Sequence, residues 1–139
     1  NQIKENVIEI ENLILSFKFR EACFEFMKIA RLGNKFLADQ EPWKLIKSDP
    51  QRVKTIMFVA LQITTIISIV CEPFLPSTSK KIKNILSHKN HDIAWDWRQL
   101  MEQEFLIKSG VKINEPELLF SRIEDEQIEN QLAKLKSKN

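Results

Sequence analysis

Ser77 and Lys80 have the S-x-x-K spacing of penicillin-binding enzymes, in which a serine nucleophile works beside a lysine. The S-D-N and K-T-G motifs that complete such a site are absent from this sequence. Serine is also common at helix starts, because its hydroxyl can bond to nearby backbone. We therefore interpret the serines of this segment as capping residues of a helix, and not as nucleophiles.

A second group of reactive residues, His88 and His91 with Asp92, has the H-x-x-H spacing that can ligate a metal. No second ligand pair such as Cys-x-x-Cys accompanies it, and the surrounding residues are polar, which favours a solvated loop. The two glycines, Gly33 and Gly110, lie far apart in sequence, so there is no glycine-rich phosphate loop. We predict neither a metal site nor a catalytic site within this chain.

The composition favours one helical domain. The chain has 139 residues, of which 43% are hydrophobic, and this is enough to form a core. Two Gly and five Pro are too few for the many turns of an all-β fold. The two cysteines make no disulfide framework, so a reducing cytoplasm is the expected location. A net charge of +2 is too small to identify a nucleic-acid-binding protein by itself.

Apolar residues recur every three or four positions in several segments, which predicts an all-α antiparallel bundle of about five helices, with residues 1–139 forming a single domain. The expected helices cover about residues 2–15, 19–41, 50–71, a short segment around 82–86, and 123–135. Asp49 followed by Pro50 is a typical helix start, and Pro42 must end the helix before it. Residues 87–117 lack periodicity and predict a long surface connection, with a turn of helix near Leu100.

The segment from Pro50 to Cys71 is rich in Ile, Val and Thr, which favour strands. Its length of about 20 residues far exceeds an ordinary strand and instead predicts a central helix. Its apolar stretch from Ile56 to Val70 is interrupted by polar residues and is shorter than the roughly 20 residues that cross a bilayer. We therefore expect a buried helix and no membrane partner.

The stretch "GNKFLADQEPWKL" places a tryptophan directly after a helix-ending proline. Trp43 can be a core anchor that holds the loop onto the bundle, or it can be a stacking platform for an unpaired base. The second interpretation is favoured by Lys44, Lys47 and Lys54, which follow it closely and can attract phosphates. Charge runs of this kind are usually solvated faces, so the residues alone leave both interpretations open.

Several short motifs, taken together and in order, resemble the anticodon-binding domain of methionyl-tRNA synthetases. They are FREA at 19–22, GNKF at 33–36, PW at 42–43, EPFLP at 72–76, and LF at 119–120 with IED at 123–125. The resemblance covers most of the chain. Two positions depart from the family pattern, because Phe36 replaces the usual tyrosine and Gly33 the usual alanine. Gly33 fits a close approach of two helices, since its cost of up to about 1 kcal/mol relative to Ala is then tolerable.

The resemblance implies a site. In that family the tryptophan after the proline stacks on the first anticodon base of the tRNA for methionine, so Trp43 would carry this role. Pro42 would fix the backbone that presents the ring. Asn34 would support the site from the preceding helix, by bonding to neighbouring backbone more than to RNA.

The resemblance also implies what lies outside this chain. The family's HIGH-type and KMSKS motifs do not occur here, so the nucleotide-binding catalytic domain, which uses ATP with magnesium to ligate methionine to its tRNA, would precede residue 1. An asparagine and an arginine that also read the anticodon lie on an upstream helix in the family and have no match here. The CAU anticodon would therefore be recognised only in part.

The C-terminal segment, 118–139, packs on the catalytic domain in the family. Its apolar residues, Ile128, Leu132 and Leu135, would then be partly uncovered in this chain, which predicts possible self-association. The competing function is a helical protein-interaction module that does not bind RNA.

Overall fold

The computed structural model describes residues 2–86 and 96–136, and within these ranges it contains helices and no strand. The helices are α1 (Gln2–Leu15), α2 (Phe19–Gln40), α3 (Pro42–Leu45), α4 (Pro50–Val70), α5 (Pro76–Leu86), α6 (Trp97–Glu102) and α7 (Asp125–Lys136). Five of them are 11 residues long or more, and α3 and α6 are short. The expectation of an all-α bundle of about five helices is confirmed.

The first two helices pack on each other as an antiparallel hairpin. Val7 and Ile10 of α1 are fully buried against the apolar side of α2, which includes Phe26 and Ile29. The side-chain amide of Asn6 donates to the Glu25 carboxylate across the hairpin, at 3.2 Å. This hairpin sends the C-terminal end of α2 to the opposite end of the bundle from the α1–α2 turn.

The end of α2 is set by the proline that follows it. Glu41 adopts a left-handed conformation, with φ 42°, and its N–H donates to the Leu37 carbonyl at 3.0 Å. This is a common way to satisfy the last carbonyls of a helix. Pro42 is then the first residue of the one-turn helix α3, where its missing N–H leaves no helical bond unmade.

The central helix, α4, begins as the sequence predicts. The Asp49 carboxylate accepts a bond of 3.0 Å from the Arg52 backbone N–H, and Pro50 is the first helical residue. α4 contacts α2, α3, α5 and α6, which explains its apolar composition. With 21 residues, it is nevertheless long and apolar enough to cross a membrane, so the expectation that it is too short was wrong.

Gly33 of α2 lies close to Ile63 of α4. A Cβ atom at this position would be 3.0 Å from Cγ2 of Ile63 on α4, which is tighter than ordinary van der Waals contact. The expectation that Gly33 permits close helix packing is confirmed. A cavity of about 70 Å³ adjoins both residues.

The packing of α5 on α4 depends on a polar contact that the sequence analysis misread. The Ser79 hydroxyl donates to the Ser68 carbonyl of α4 at 2.6 Å, and both residues are fully buried. The expectation that the serines of this segment cap α5 is wrong, because no cap bond forms from Ser77 or Ser79 within the described residues. Ser79 instead satisfies a carbonyl between two helices.

The irregular segment after α6 is attached to the bundle by Gln62 of α4 and by Asn114, whose backbone and side-chain N–H groups donate to the Ile85 and Asn84 carbonyls of α5 at 2.7 and 2.6 Å. Gln62 of α4 accepts from the backbone N–H groups of Leu106 and Ile107, at 2.9 and 3.3 Å, and donates to the Ile107 carbonyl at 2.6 Å. Leu106 and Ile107 are buried, and Phe105 meets Phe58 with ring centres 5.6 Å apart. The sequence analysis predicted a surface connection with a turn near Leu100, and it missed this contact.

The last helix, α7, has no buried residue. Ile128, Leu132 and Leu135 are 49%, 51% and 67% exposed. The expectation that they are partly uncovered is confirmed.

Candidate nucleic-acid interface

Trp43 is displayed on the surface by the one-turn helix α3. Its side chain is 57% exposed, whereas the preceding Pro42 is buried. The Lys44 N–H donates to the Glu41 carbonyl at 2.9 Å, and the Asp49 N–H to the Leu45 carbonyl at 2.8 Å, so hydrogen bonds fix the backbone around Trp43. The interpretation of Trp43 as a buried core anchor is therefore wrong. A flat apolar surface is presented to solvent on a fixed backbone.

The lysines near Trp43 differ in their availability. Lys44 Nζ lies 2.7 Å from the Glu41 carboxylate, so it has to exchange this partner before it can contact a phosphate. Lys47 and Lys54 are exposed and have no ion pair within residues 2–86 and 96–136. Lys47 and Lys54 are thus the more available cations of the three.

Asn34 lies on the exposed side of α2. Its side chain makes no hydrogen bond in the described part of the chain, so the expected bond to neighbouring backbone is absent. It adjoins the small cavity beside Gly33. The structure therefore gives Asn34 no direct connection to Trp43.

Next to α3, two further polar residues are brought together by the fold. Arg52 Nη2 donates to Gln40 Oε1 at 3.1 Å, which joins the start of α4 to the end of α2. Neither Arg52 nor Gln40 was predicted from the sequence as a site residue. No local spacing signals such a pair, because the two residues belong to different helices.

The other candidate chemistry does not form a site in the described residues. Ser77 and Lys80 are exposed and share no hydrogen bond. His88, His91 and Asp92 lie outside the residues that the structure describes. Across residues 2–86 and 96–136, no group of three or more His, Cys, Asp or Glu side chains is placed to hold a metal.

Comparison with known proteins decides the family. The sequence model described as "Anticodon binding domain of methionyl tRNA ligase" matches residues 1–139. This chain belongs to that family. The exposed Trp43 and the helical bundle are thus features of a methionyl-tRNA ligase anticodon-binding domain.

The relatives agree with this assignment. A methionine–tRNA ligase of Christiangramia forsetii is 55% identical over 92% of this chain, and one of Flavobacterium psychrophilum is 48% identical over 98% of it. A methionine–tRNA ligase of Bacteroides fragilis is 47% identical over 91% of this chain. The matched region is 19%, 19% and 18% of those three proteins, so this chain corresponds to about one fifth of such a ligase.

Proposed function

We propose that this domain binds the anticodon loop of the tRNA for methionine, and that Trp43 stacks on the first base of the CAU anticodon. The observation that supports this most strongly is the indole ring, which is 57% exposed while the proline before it is buried. A large apolar ring exposed on a rigid turn is unfavourable in water unless a partner covers it. Within an anticodon-binding family, an unpaired nucleobase is the partner that fits its flat surface.

The expected energies are those of base stacking and of phosphate attraction. Stacking on an aromatic side chain contributes about 1 to 3 kcal/mol per base, and about 1.4 kcal/mol already corresponds to a tenfold change in affinity. Lys47 and Lys54, and Lys44 after it leaves Glu41, add attraction to phosphates that weakens with salt and carries little sequence information. Trp43 therefore supplies a contact to an unpaired base, and the lysines supply general affinity for the phosphates.

We further propose that the domain acts as part of a methionine–tRNA ligase in the cytoplasm. The relatives that it matches bear that name and are about five times longer. In such an enzyme, a catalytic domain elsewhere in the polypeptide uses ATP with magnesium to join methionine to the tRNA. The role of this chain is to hold the anticodon so that the distant acceptor end reaches that site.

The test is a titration of a fluorescently labelled CAU anticodon stem-loop, followed by anisotropy at several salt concentrations. Trp43→Ala should lower the affinity about tenfold. Phe24→Ala is the matched control, since Phe24 is 53% exposed but lies 16 residues before Gln40, roughly 24 Å along α2. Equal affinities for wild type and Trp43→Ala would refute the stacking role, and binding that does not weaken with salt would refute the role of the lysines.

A second candidate function is protein docking through α7, which is favoured by its exposed apolar residues. Ile128, Leu132 and Leu135 lie on one side of α7, and each is about half exposed or more. The partner would be the catalytic domain of the same polypeptide or, for the isolated domain, a second copy. Light scattering over a concentration series tests self-association, and a strict monomer at millimolar concentration would contradict it.

A further inference from the structure

An open cavity of about 580 Å³ lies between the C-terminal part of α2 and the first turns of α4. Its volume is within the range of small-ligand sites. Phe36, Ile56 and Val59 form an apolar wall. The polar residues of the lining are Gln40, Asp49, Gln51, Arg52 and Thr55. The cavity therefore combines an apolar surface with a polar side.

The cavity is adjacent to the proposed stacking residue. Gln40 is the last residue of α2, and Trp43 is three positions later in the chain. Their Cα atoms are at most about 11 Å apart, since a residue extends the chain by no more than about 3.6 Å. A nucleotide next to the base on Trp43 can therefore reach the cavity.

The polar side of the cavity is prearranged. Arg52 Nη2 donates to Gln40 Oε1 at 3.1 Å, and the start of α4 is fixed by the bond from the Arg52 backbone N–H to Asp49. The hydrogen bond from Arg52 thus directs Oε1 of Gln40 toward the start of α4. Its Oε1 has a second lone pair, and its Nε2 has no partner within residues 2–86 and 96–136.

This donor and acceptor pattern fits adenine. A glutamine side chain recognises adenine by accepting from N6–H and donating to N7, a pair of groups that adenine alone offers on the edge that carries N7. The apolar wall, with the Phe36 ring, suits the face of the same base. We propose that this cavity binds an adenine, the second base of the anticodon, with Gln40 reading N6 and N7 and Arg52 positioning Gln40. This inference rests on the proposed function.

The experiment compares two stem-loops, one with the CAU anticodon and one in which the second base is 7-deazaadenine, which lacks the N7 acceptor. The wild-type domain should bind the modified loop at least about fivefold more weakly. Gln40→Met should bind both loops equally, and Arg52→Met should reduce the ratio, although it also lowers overall affinity through its charge. Gln131→Met on α7 is the control and should keep the wild-type ratio. Circular dichroism establishes that each variant is folded.

Equal binding of the two loops by the wild-type domain, or a ratio that Gln40→Met leaves unchanged, would overturn the inference. The Trp43→Ala variant distinguishes the two proposals. If Trp43→Ala weakens binding while wild type and Gln40→Met each bind the two loops equally, the stacking function stands and the adenine site is wrong. If Trp43→Ala and Gln40→Met both bind the CAU loop like wild type, both are wrong.

Discussion

The contact of Gln62 with the irregular segment predicts a large effect from one isosteric change. Gln62→Met keeps the hydrocarbon part of the side chain but removes three hydrogen bonds to Leu106 and Ile107. Each buried backbone group left without a partner costs about 1 to 3 kcal/mol. If the segment stays in place, this cost applies to the N–H groups of Leu106 and Ile107 and to the carbonyl of Ile107.

The segment can also detach, and this limits the loss. Detachment exposes the side chains of Leu106 and Ile107, which are 7% and 3% exposed in the native state. Burial of such a side chain contributes about 1.5 to 3 kcal/mol, and the freed backbone regains conformational entropy of about 1 to 2 kcal/mol per residue. We therefore expect Gln62→Met to lower the free energy of unfolding by about 2 to 4 kcal/mol.

Urea denaturation followed by tryptophan fluorescence measures this free energy, and hydrogen exchange measures protection of the Leu106 and Ile107 amides. Gln51→Met is the matched control, because Gln51 is an exposed residue of the same helix, and it should change the free energy by less than about 0.5 kcal/mol. A loss below about 0.5 kcal/mol for Gln62→Met, with unchanged exchange at both amides, would refute the reasoning.

Three further predictions concern packing and burial. Gly33→Ala should stabilise the domain by up to about 1 kcal/mol through helix propensity, because the cavity beside Ile63 lets the Ile63 side chain move. Gly33→Val should destabilise the domain by about 1 to 3 kcal/mol. Thermal unfolding measures both effects, and equal Tm values for the two variants would contradict this prediction. Ser79→Ala should cost about 1 to 3 kcal/mol, because the buried Ser68 carbonyl of α4 would keep only the weak 3.8 Å contact of the Cys71 thiol. Ser77→Ala should cost less than about 0.5 kcal/mol, so similar urea midpoints would count against the interhelix bond. Burial raises the pKa of the Cys71 thiol, so a disulfide reagent at neutral pH should modify the half-buried Cys23 before Cys71. Equal rates of modification of the two cysteines in the native protein would be inconsistent with this burial.

The helices were largely predictable because their signals are local. The 3.6-residue periodicity placed α1 at its observed bounds, and the Asp49–Pro50 pair gave the start of α4. Pro42 fixed the end of α2 to within a residue, since no helix continues through the position before a proline without strain.

The misread features depend on contacts between distant segments. Gln62 bonds to residues 44 and 45 positions later, and Ser79 to a carbonyl 11 positions earlier, on another helix. In the sequence, Gln62 looked like an interruption of an apolar run, and Ser79 looked like a capping residue. A polar side chain in an apolar segment indicates that a buried partner exists, but not which one it is.

The candidate site was predictable only in part, because some of its features are local in the sequence and others depend on contacts between helices. The residues alone left open whether Trp43 is a core anchor or a displayed ring, the family resemblance implied display, and the exposure of Trp43 agrees with display. The pairing of Lys44 with Glu41 has ordinary helical spacing and was overlooked. The Gln40–Arg52 pair had no sequence signal, because it forms only when α2 and α4 meet.

The most direct test of the central claim is a thermodynamic cycle between the indole and the base. The affinities of wild type and Trp43→Ala are measured for the CAU stem-loop and for the same loop with an abasic first position. If the ring stacks on that base, either change alone should cost about tenfold, and the two together should cost no more than one. Losses that multiply when both are made, or an abasic loop that wild type binds as tightly as CAU, would contradict the account.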